Sequence, residues 1–406
     1  MDESAAVAHV LRRTTFGPFP GRVEEFAGRG GGDVIDTVLG AKALEPATPV
    51  FDEDEDAAAS GPVGRWLKAM ADPAAGVHEK LVWFWHGHFT SSHDKVDTWE
   101  LMWQQHTLLR KHAMGNFREL AQAVTVDGAM LQWLDGAGSV ADAPNENHGR
   151  ELMELFTVGR GIYTQQDVKA AAVALSGWNV DDHGAVSFDP DSGNRRAVEL
   201  LGRQVISARD VVDVLCDRPE TARFIAAKLH LFLVGQAASE QRLGELAAVF
   251  TQARLEIRPL VEAILRHPSF LEARYTRPRY PVEWVTAALA VCGITDVAKA
   301  FETMTGLGQS PFYPPNVAGW PPGNRWIAPG TSVARAALAV EAPVIAEIAD
   351  ASDPVEAVFR RAAIYDPTPE TRTAARDLAF ALRREPRQAA SALLALAITA
   401  PEFTLA

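Results

Sequence analysis

"VDVLCDRPETARFIAAKLHLFL", residues 212–233, decides the fold class. Its apolar residues return at spacings of three and four, the period of one helix face. The same spacing fills "LGELAAVFTQARLEIRPLVEAILRHPSF" (243–270) and "AARDLAFALRREPRQAASALLALAI" (374–398), so the chain reads as mainly α. Strand-like alternation is confined to "WNVDDHGAVSF" (178–188) and "RAVELLGRQV" (196–205), joined by the turn-rich "DPDSGN". The expected architecture is therefore one large multi-helical body over residues 1–406, with one small β-hairpin at 178–205 and a helical-hairpin half at 206–406. "ILRHPSF" (264–270) and "AITAPEF" (397–403) close two helix pairs alike, which points to a duplicated helical hairpin.

At 406 residues and 47% hydrophobic, the chain has enough apolar material for a substantial core. Acidic residues outnumber basic ones 52 to 39. That balance repels phosphate backbones and anionic membranes, so no nucleic-acid partner is expected. The two cysteines, Cys216 and Cys292, lie in apolar helical patterns and read as small buried hydrophobes. No stretch is long enough for a signal peptide or a membrane span, and the expected address is the cytoplasm. Segment 46–62, which holds "ATPVFDEDEDAAASGP", has no periodicity and reads as a mobile acidic loop.

"HEKLVWFWHGHF" (78–89) is apolar nearly all round, the pattern of a fully buried helix. Gly87 suits the left-handed position that stops a helix, with His86 in the last turn and His88 at the exit. In one reading the histidines cap and pack; in the other, His86 and His88 serve as acid/base groups or metal ligands, with His88 reachable from a pocket. In "DTWELMWQQHTLLRKH" (97–112), His106 and Arg110 share a face with Trp99, Met102, Trp103 and Leu109. A hydrogen-bonded core histidine beside a snorkelling arginine is the expectation there.

"NENHGRELMELFTVG" (145–159) concentrates polar groups at the start of a helix. At about 100° per residue, Glu146, Asn147, Arg150, Glu151, Glu154 and Thr157 share one half of the wheel. Leu152, Met153, Leu155 and Phe156 share the other, with His148 leaning toward them. Asn145 or Asn147 suits the N-cap. "IYTQQDVKAAAVALSGW" (162–178) then opens with a Thr-x-x-Asp capping arrangement. In "SPFYPPNVAGWPPGNRW" (310–326), five prolines hold Tyr313, Asn316, Trp320, Arg325 and Trp326 in a stiff non-helical loop, suited to stacking on a ligand or to packing over the core.

Together "HVLRRTTFGP", "WFWHGHFTSSHDKV", "HAMGNFREL", "NENHGRELMELFTVGRGIYTQQDVKAAAVALSGW" and "PPNVAGWPPGNRWI" resemble the bacterial family catalogued as domain of unknown function 1800. The resemblance covers nearly the whole chain in the family's order. It implies no established reaction, and it implies export and a sulfatase-like partner protein for many members. Its motifs centre on His86, His88, Asn145 to Asn147, Arg150, Glu151, Glu154, Trp178, Asn316, Trp320 and Trp326. The His-Asp pair and the Lys before "LG" that many members carry are replaced here by "FDPDSGNRRAVELLG", and no leader is visible.

The functional expectation is a hydrolase acting on a carbohydrate-like substrate in a Trp-lined cleft. Glu151, Glu154, His88 and His86 would supply acid/base groups; Asn145, Glu146, Asn147, Arg150, Trp178, Asn316, Trp320 and Trp326 would bind substrate. One alternative is an enzyme dependent on a divalent metal held by His86, His88 and Glu151. The other is a non-catalytic helical scaffold that binds a partner protein, with the polar cluster as a buried network.

Overall fold

The computed structural model describes residues 3–49, 51, 61–181 and 183–406. Most of the acidic segment read as a mobile loop, residues 52–60, lies outside the described residues. The principal helices are α1 (Glu3–Thr14), α2 (Pro62–Met70), α3 (Val77–His88), α4 (Trp99–His112) and α5 (Glu146–Glu151). They continue with α6 (Gln165–Ala174), α7 (Ala208–Cys216), α8 (Pro219–Val234), α9 (Pro281–Cys292) and α10 (Pro386–Thr399). The chain is mainly α, as its periodicity predicts.

The deciding stretch folds as the end of α7 and nearly all of α8. Pro219 occupies the first turn of α8, where a missing N–H leaves nothing unsatisfied. Thr221, Ala222, Ile225, Ala226, Leu229 and Leu233 form its buried stripe. Ser207 and Asp210 exchange capping bonds at the start of α7, and Thr164 and Asp167 do the same at the start of α6. "ILRHPSF" and "AITAPEF" do end alike: each passes into a short helix with proline in its first turn, and Phe270 and Phe403 are both buried.

Strands occur only inside 178–205 among the described residues, but they pair as two hairpins rather than one. β1 (Trp178–Val180) pairs antiparallel with β2 (Val186–Phe188), and β3 (Val198–Leu200) with β4 (Arg203–Val205). Local turn chemistry takes precedence over the longer pairing. The Asp181 carboxylate accepts the N–H groups of His183 and Ala185, which closes the first hairpin. Leu201 and Gly202, both at positive φ, close the second in two residues, and Asp167 holds the Leu201 N–H at 2.7 Å. "DPDSGN" thus links two hairpins.

α3 is the hub of the core. Leu81, Val82, Trp85 and their neighbours are buried, and the hydrophobic cluster around them runs from Val7 to Phe403. Its charged residues are neutralised internally. Glu79 accepts both guanidinium forks of Arg110 at 2.8 and 2.7 Å and the Trp66 indole N–H at 2.8 Å. Arg110 therefore pairs inside the protein instead of snorkelling outward. Lys80 reaches Glu283 at 2.5 Å, and Arg277 grips the same carboxylate at 2.6 and 2.8 Å. Two cations and the hydrogen bonds they carry hold the Glu283 carboxyl below its usual range despite burial. Cys216 and Cys292 are buried and free. No helix among the described residues is long and apolar enough to cross a membrane.

Candidate functional site

α3 does not stop at Gly87. The helix continues through His88, and Gly87 is absent from the left-handed residues. The close contact here depends on Gly319: a Cβ there would stand 2.6 Å from the Gly87 carbonyl oxygen, so the 310–326 loop lies directly against the helix backbone, whereas a Cβ on Gly87 would meet nothing nearer than Trp320 at 4.0 Å. On a continuous helix, residues two apart project nearly opposite ways, and the two histidines do so here.

His86, 2% exposed, meets the proline-rich loop. Its Nε2 accepts the Phe312 N–H at 3.0 Å, and its ring lies 5.0 Å from Trp66 and 5.6 Å from Trp320. Burial lowers its pKa to about 3, so it stays neutral. His88 is also 2% exposed, which corrects the expectation of a ring reachable from a pocket. Its Nε2 donates to the Phe156 carbonyl at 3.1 Å, and Nδ1 has no hydrogen-bond partner among the described residues. Burial, reinforced by the Lys228 charge, holds its pKa well below the ordinary value. Among the described residues neither ring nitrogen of His106 has a hydrogen-bond partner, and the ring packs 4.4 Å from Trp66.

Asn145 is the N-cap of α5, accepting the Asn147 N–H at 2.8 Å. After Glu151 the helix widens into a π turn, Leu152–Phe156, a rare geometry that often marks functional positions. The Thr157 hydroxyl ends it by bonding the Leu152 carbonyl, five residues back, at 2.6 Å. Glycines then fold the chain over: Gly159 and Gly161 have φ of 80° and 83°, which a residue with a Cβ seldom adopts. That reversal brings Arg160 and Tyr163 back onto Glu154, with the Tyr163 hydroxyl donating at 2.8 Å and Arg160 Nε at 2.5 Å.

The two carboxylates of the motif consequently differ. Tyr163 and Arg160 lower the pKa of Glu154. Glu151 is half-buried and has no hydrogen-bond partner among the described residues; desolvation and the neighbouring Glu154 charge raise its pKa. Beside them, Arg150 Nη2 bonds Glu146 at 3.0 Å and Gln165 at 3.2 Å, and Gln165 also donates to Glu146 at 2.6 Å. From Thr164, next in the chain after Tyr163, a surface groove of about 640 Å³ runs along α6 and the β3–β4 hairpin, past Gln166, Asp167, Lys169 and Glu199.

The structure thus brings Glu146, Arg150, Glu151 and Glu154 into one polar face and places the other predicted residues elsewhere. Trp178 stands in β1 against Phe188 at 5.3 Å. Trp320 stacks on Trp83 at 5.0 Å. Trp326 is buried, its indole N–H on the Pro321 carbonyl at 2.9 Å. Asn316 is exposed and its side-chain oxygen accepts the Ala318 N–H at 2.9 Å, closing its own turn. Among the described residues, no three His, Cys, Asp or Glu are grouped to hold a metal ion. Sequence reasoning missed Arg160, Tyr163 and Gln165, although Gly-Arg-Gly at 159–161 signals the reversal that delivers them.

A family model with the description "Protein of unknown function (DUF1800)" matches residues 9–405. No curated protein and no solved structure matches.

Proposed function

Since the chain belongs to the DUF1800 family, whose description gives no reaction, we propose from the site itself an acid–base hydrolase in which Glu151 is the proton donor and Glu154 the ionised partner. One observation carries this reading: two carboxylates on one turn are driven in opposite directions, Glu151 up and Glu154 down. That contrast favours the un-ionised form at Glu151 and the ionised form at Glu154, which is how acid and base roles divide between two carboxyl groups. Arg150, held between Glu146 and Gln165, would orient a polar group of the substrate. The groove along α6, in which Gln166, Asp167, Lys169 and Glu199 stand among Ala170 and Val173, suits a carbohydrate-like chain with polar and apolar faces; the tryptophans, Glu151 and Glu154 supply none of its lining.

The test is a panel of chromogenic glycosides and esters assayed with wild type and two variants. Glu151→Gln is expected to lower kcat by about 100-fold or more, the usual contribution of a positioned acid. Glu154→Gln is expected to lower it as well and to move the acid limb of the pH profile. Full activity in Glu151→Gln would end the proposal.

A second reading, the partner-binding scaffold, is favoured by the ion pairs Glu146–Arg150 and Glu154–Arg160, which tie the polar face to itself. It predicts that both variants leave every catalytic assay unchanged and weaken copurification with a sulfatase-like partner.

A further inference from the structure

We infer that the cleft where α7 meets α8 binds a small phosphate monoester through Arg209 and Arg254. The cleft holds about 620 Å³, within the usual range of small-molecule sites. Four pieces of chain wall it: α7, the first turn of α8, the helix Phe117–Thr125, and the turn that follows the helix Glu240–Gln252. On α7 the residues concerned are Arg209, Asp213 and Cys216, which share one helix face by their spacing of four and three. Buried Cys216, Ala222 and Leu255 supply the apolar part of the lining. Neither Glu151 nor Glu154 takes part in it, so the inference stands apart from the hydrolase reading.

The charges around the cleft do not cancel pair by pair. Asp213 accepts Arg118 at 2.9 Å and Gln122 at 2.8 Å, and Asp217 is shared between Arg118 and Arg203, each at 2.6 Å. Arg218 is engaged with Glu220 at 3.2 Å. Asp210, next to Arg209 in the chain, commits its carboxylate to the N–H groups of Ile206 and Ser207 at 3.0 and 2.9 Å. Arg209 and Arg254 are therefore left exposed, and neither side chain has a hydrogen bond or an ion pair among the described residues. Glu119, also exposed, is the one carboxylate of the lining without a partner among them. Two free guanidiniums against one free carboxylate make this cleft attractive to an anion, in a chain whose formal net charge is -13.

The backbone that presents Arg254 is also held in place. Arg254 and Leu255 have φ of 53° and 65°, a conformation that residues with a Cβ seldom adopt. Asn116 Nδ2 donates to the Arg254 carbonyl at 2.9 Å and the Phe117 N–H to the Leu255 carbonyl at 2.9 Å, so the start of the helix Phe117–Thr125 clamps the turn. Backbone outliers of this kind persist where surrounding bonds over-determine them, and they recur at ligand clamps. A guanidinium offers a fork of donors that matches phosphate oxygens, and a phosphate monoester carries close to two negative charges at neutral pH, one for each free arginine. Glu119 and Thr251, in the same lining, suit a hydroxylated body such as a sugar.

The test titrates the full chain by calorimetry with glucose 6-phosphate, β-glycerophosphate, inorganic phosphate and glucose. At least one of the two esters is expected to bind one-to-one, more tightly than inorganic phosphate, and to weaken as salt is added; glucose is expected not to bind. Arg209→Gln and Arg254→Asn are each expected to weaken the ester by about tenfold or more, the usual loss for a hydrogen bond to a charged group. Asparagine is chosen at 254 because it tolerates the left-handed backbone there. Arg384→Gln removes an exposed arginine outside the cleft and is expected to change nothing. If Arg254→Asn fails to fold, Arg209→Gln decides, since its side chain holds no other group in place. No binding of either ester, inorganic phosphate bound as tightly as the esters, unchanged affinity in Arg209→Gln, or an equal loss in Arg384→Gln each overturns the inference.

Discussion

His88 donates its Nε2 proton to the carbonyl of Phe156 across 3.1 Å, tying the buried hub helix to the π turn that carries Glu154 and follows Glu151. The bond fixes the neutral tautomer and supplies a donor to a carbonyl in a segment where the regular i to i+4 ladder is interrupted.

Replacing His88 with Ala should therefore remove packing and leave a buried carbonyl unpaired. The expected loss is about 2–5 kcal/mol in urea denaturation. A loss under about 0.5 kcal/mol would mean that the π turn does not depend on this bond.

Acid should destabilise the fold before any ordinary carboxylate titrates. Burial lowers His86 and His9 to about 3 and His148 to about 4. The unfolded chain binds protons at these residues below about pH 6.5, while the folded chain does not. Their stabilising contribution is full above that pH and is lost as the pH falls toward the folded values. Each costs about 1.4 kcal/mol per pH unit within the window. Asp127, raised by burial to about 7, opposes them with one proton, and Glu151 opposes them further. The net result should be a fall in denaturation midpoint from pH 6.5 to pH 5; a flat profile there would contradict the buried neutral histidines.

Glu283→Gln leaves Lys80 and Arg277 buried around a neutral amide. A buried pair broken from one side costs about 3–5 kcal/mol. Adding Lys80→Met to that variant should recover part of the loss, since it withdraws one of the stranded cations. Thermal melting of the single and double variants checks the order: a double variant less stable than Glu283→Gln would show that Lys80 acts mainly through the Thr15 carbonyl it also bonds at 2.9 Å.

Gly149 is where α5 and α6 touch. A Cβ there would lie 3.1 Å from both the Ala171 Cβ and the Ala172 N. Gly149→Ala should cost about 1–3 kcal/mol through overpacking, outweighing the gain of about 1 kcal/mol in helix propensity. A raised melting temperature in this variant would show that the two helices separate easily.

Periodicity and capping chemistry made the helices legible: the Thr164 cap and the buried character of residues 78–88 could be read directly, and of the two candidate caps Asn145 and Asn147 the structure selects Asn145. Gly87 misled because a glycine can continue a helix as well as stop it, and here the helix runs on through His88. His106 misled because aromatic rings, rather than hydrogen-bond partners, surround it. The pairing of the strands was hidden for a related reason. Asp181 and the Leu201–Gly202 pair close short turns within residues that also alternate as longer strands. Within the site, the polar residues of 146–154 were visible, but the difference between Glu151 and Glu154 arises only after the chain doubles back.

A π turn holds one residue more than an α-helix would need over the same rise, which is the trace an inserted residue leaves in an older helix. Deleting one residue within Leu152–Phe156 would let the segment relax into ordinary α geometry, keeping its length and its apolar contacts nearly intact. The residues on either side of the turn would keep their register, while those of the turn itself shift relative to them. Glu154 would then turn away from Arg160 and Tyr163 while the fold survived. A shortened chain of this kind separates, in one protein, what the helix does for the core from what its extra residue does for the site.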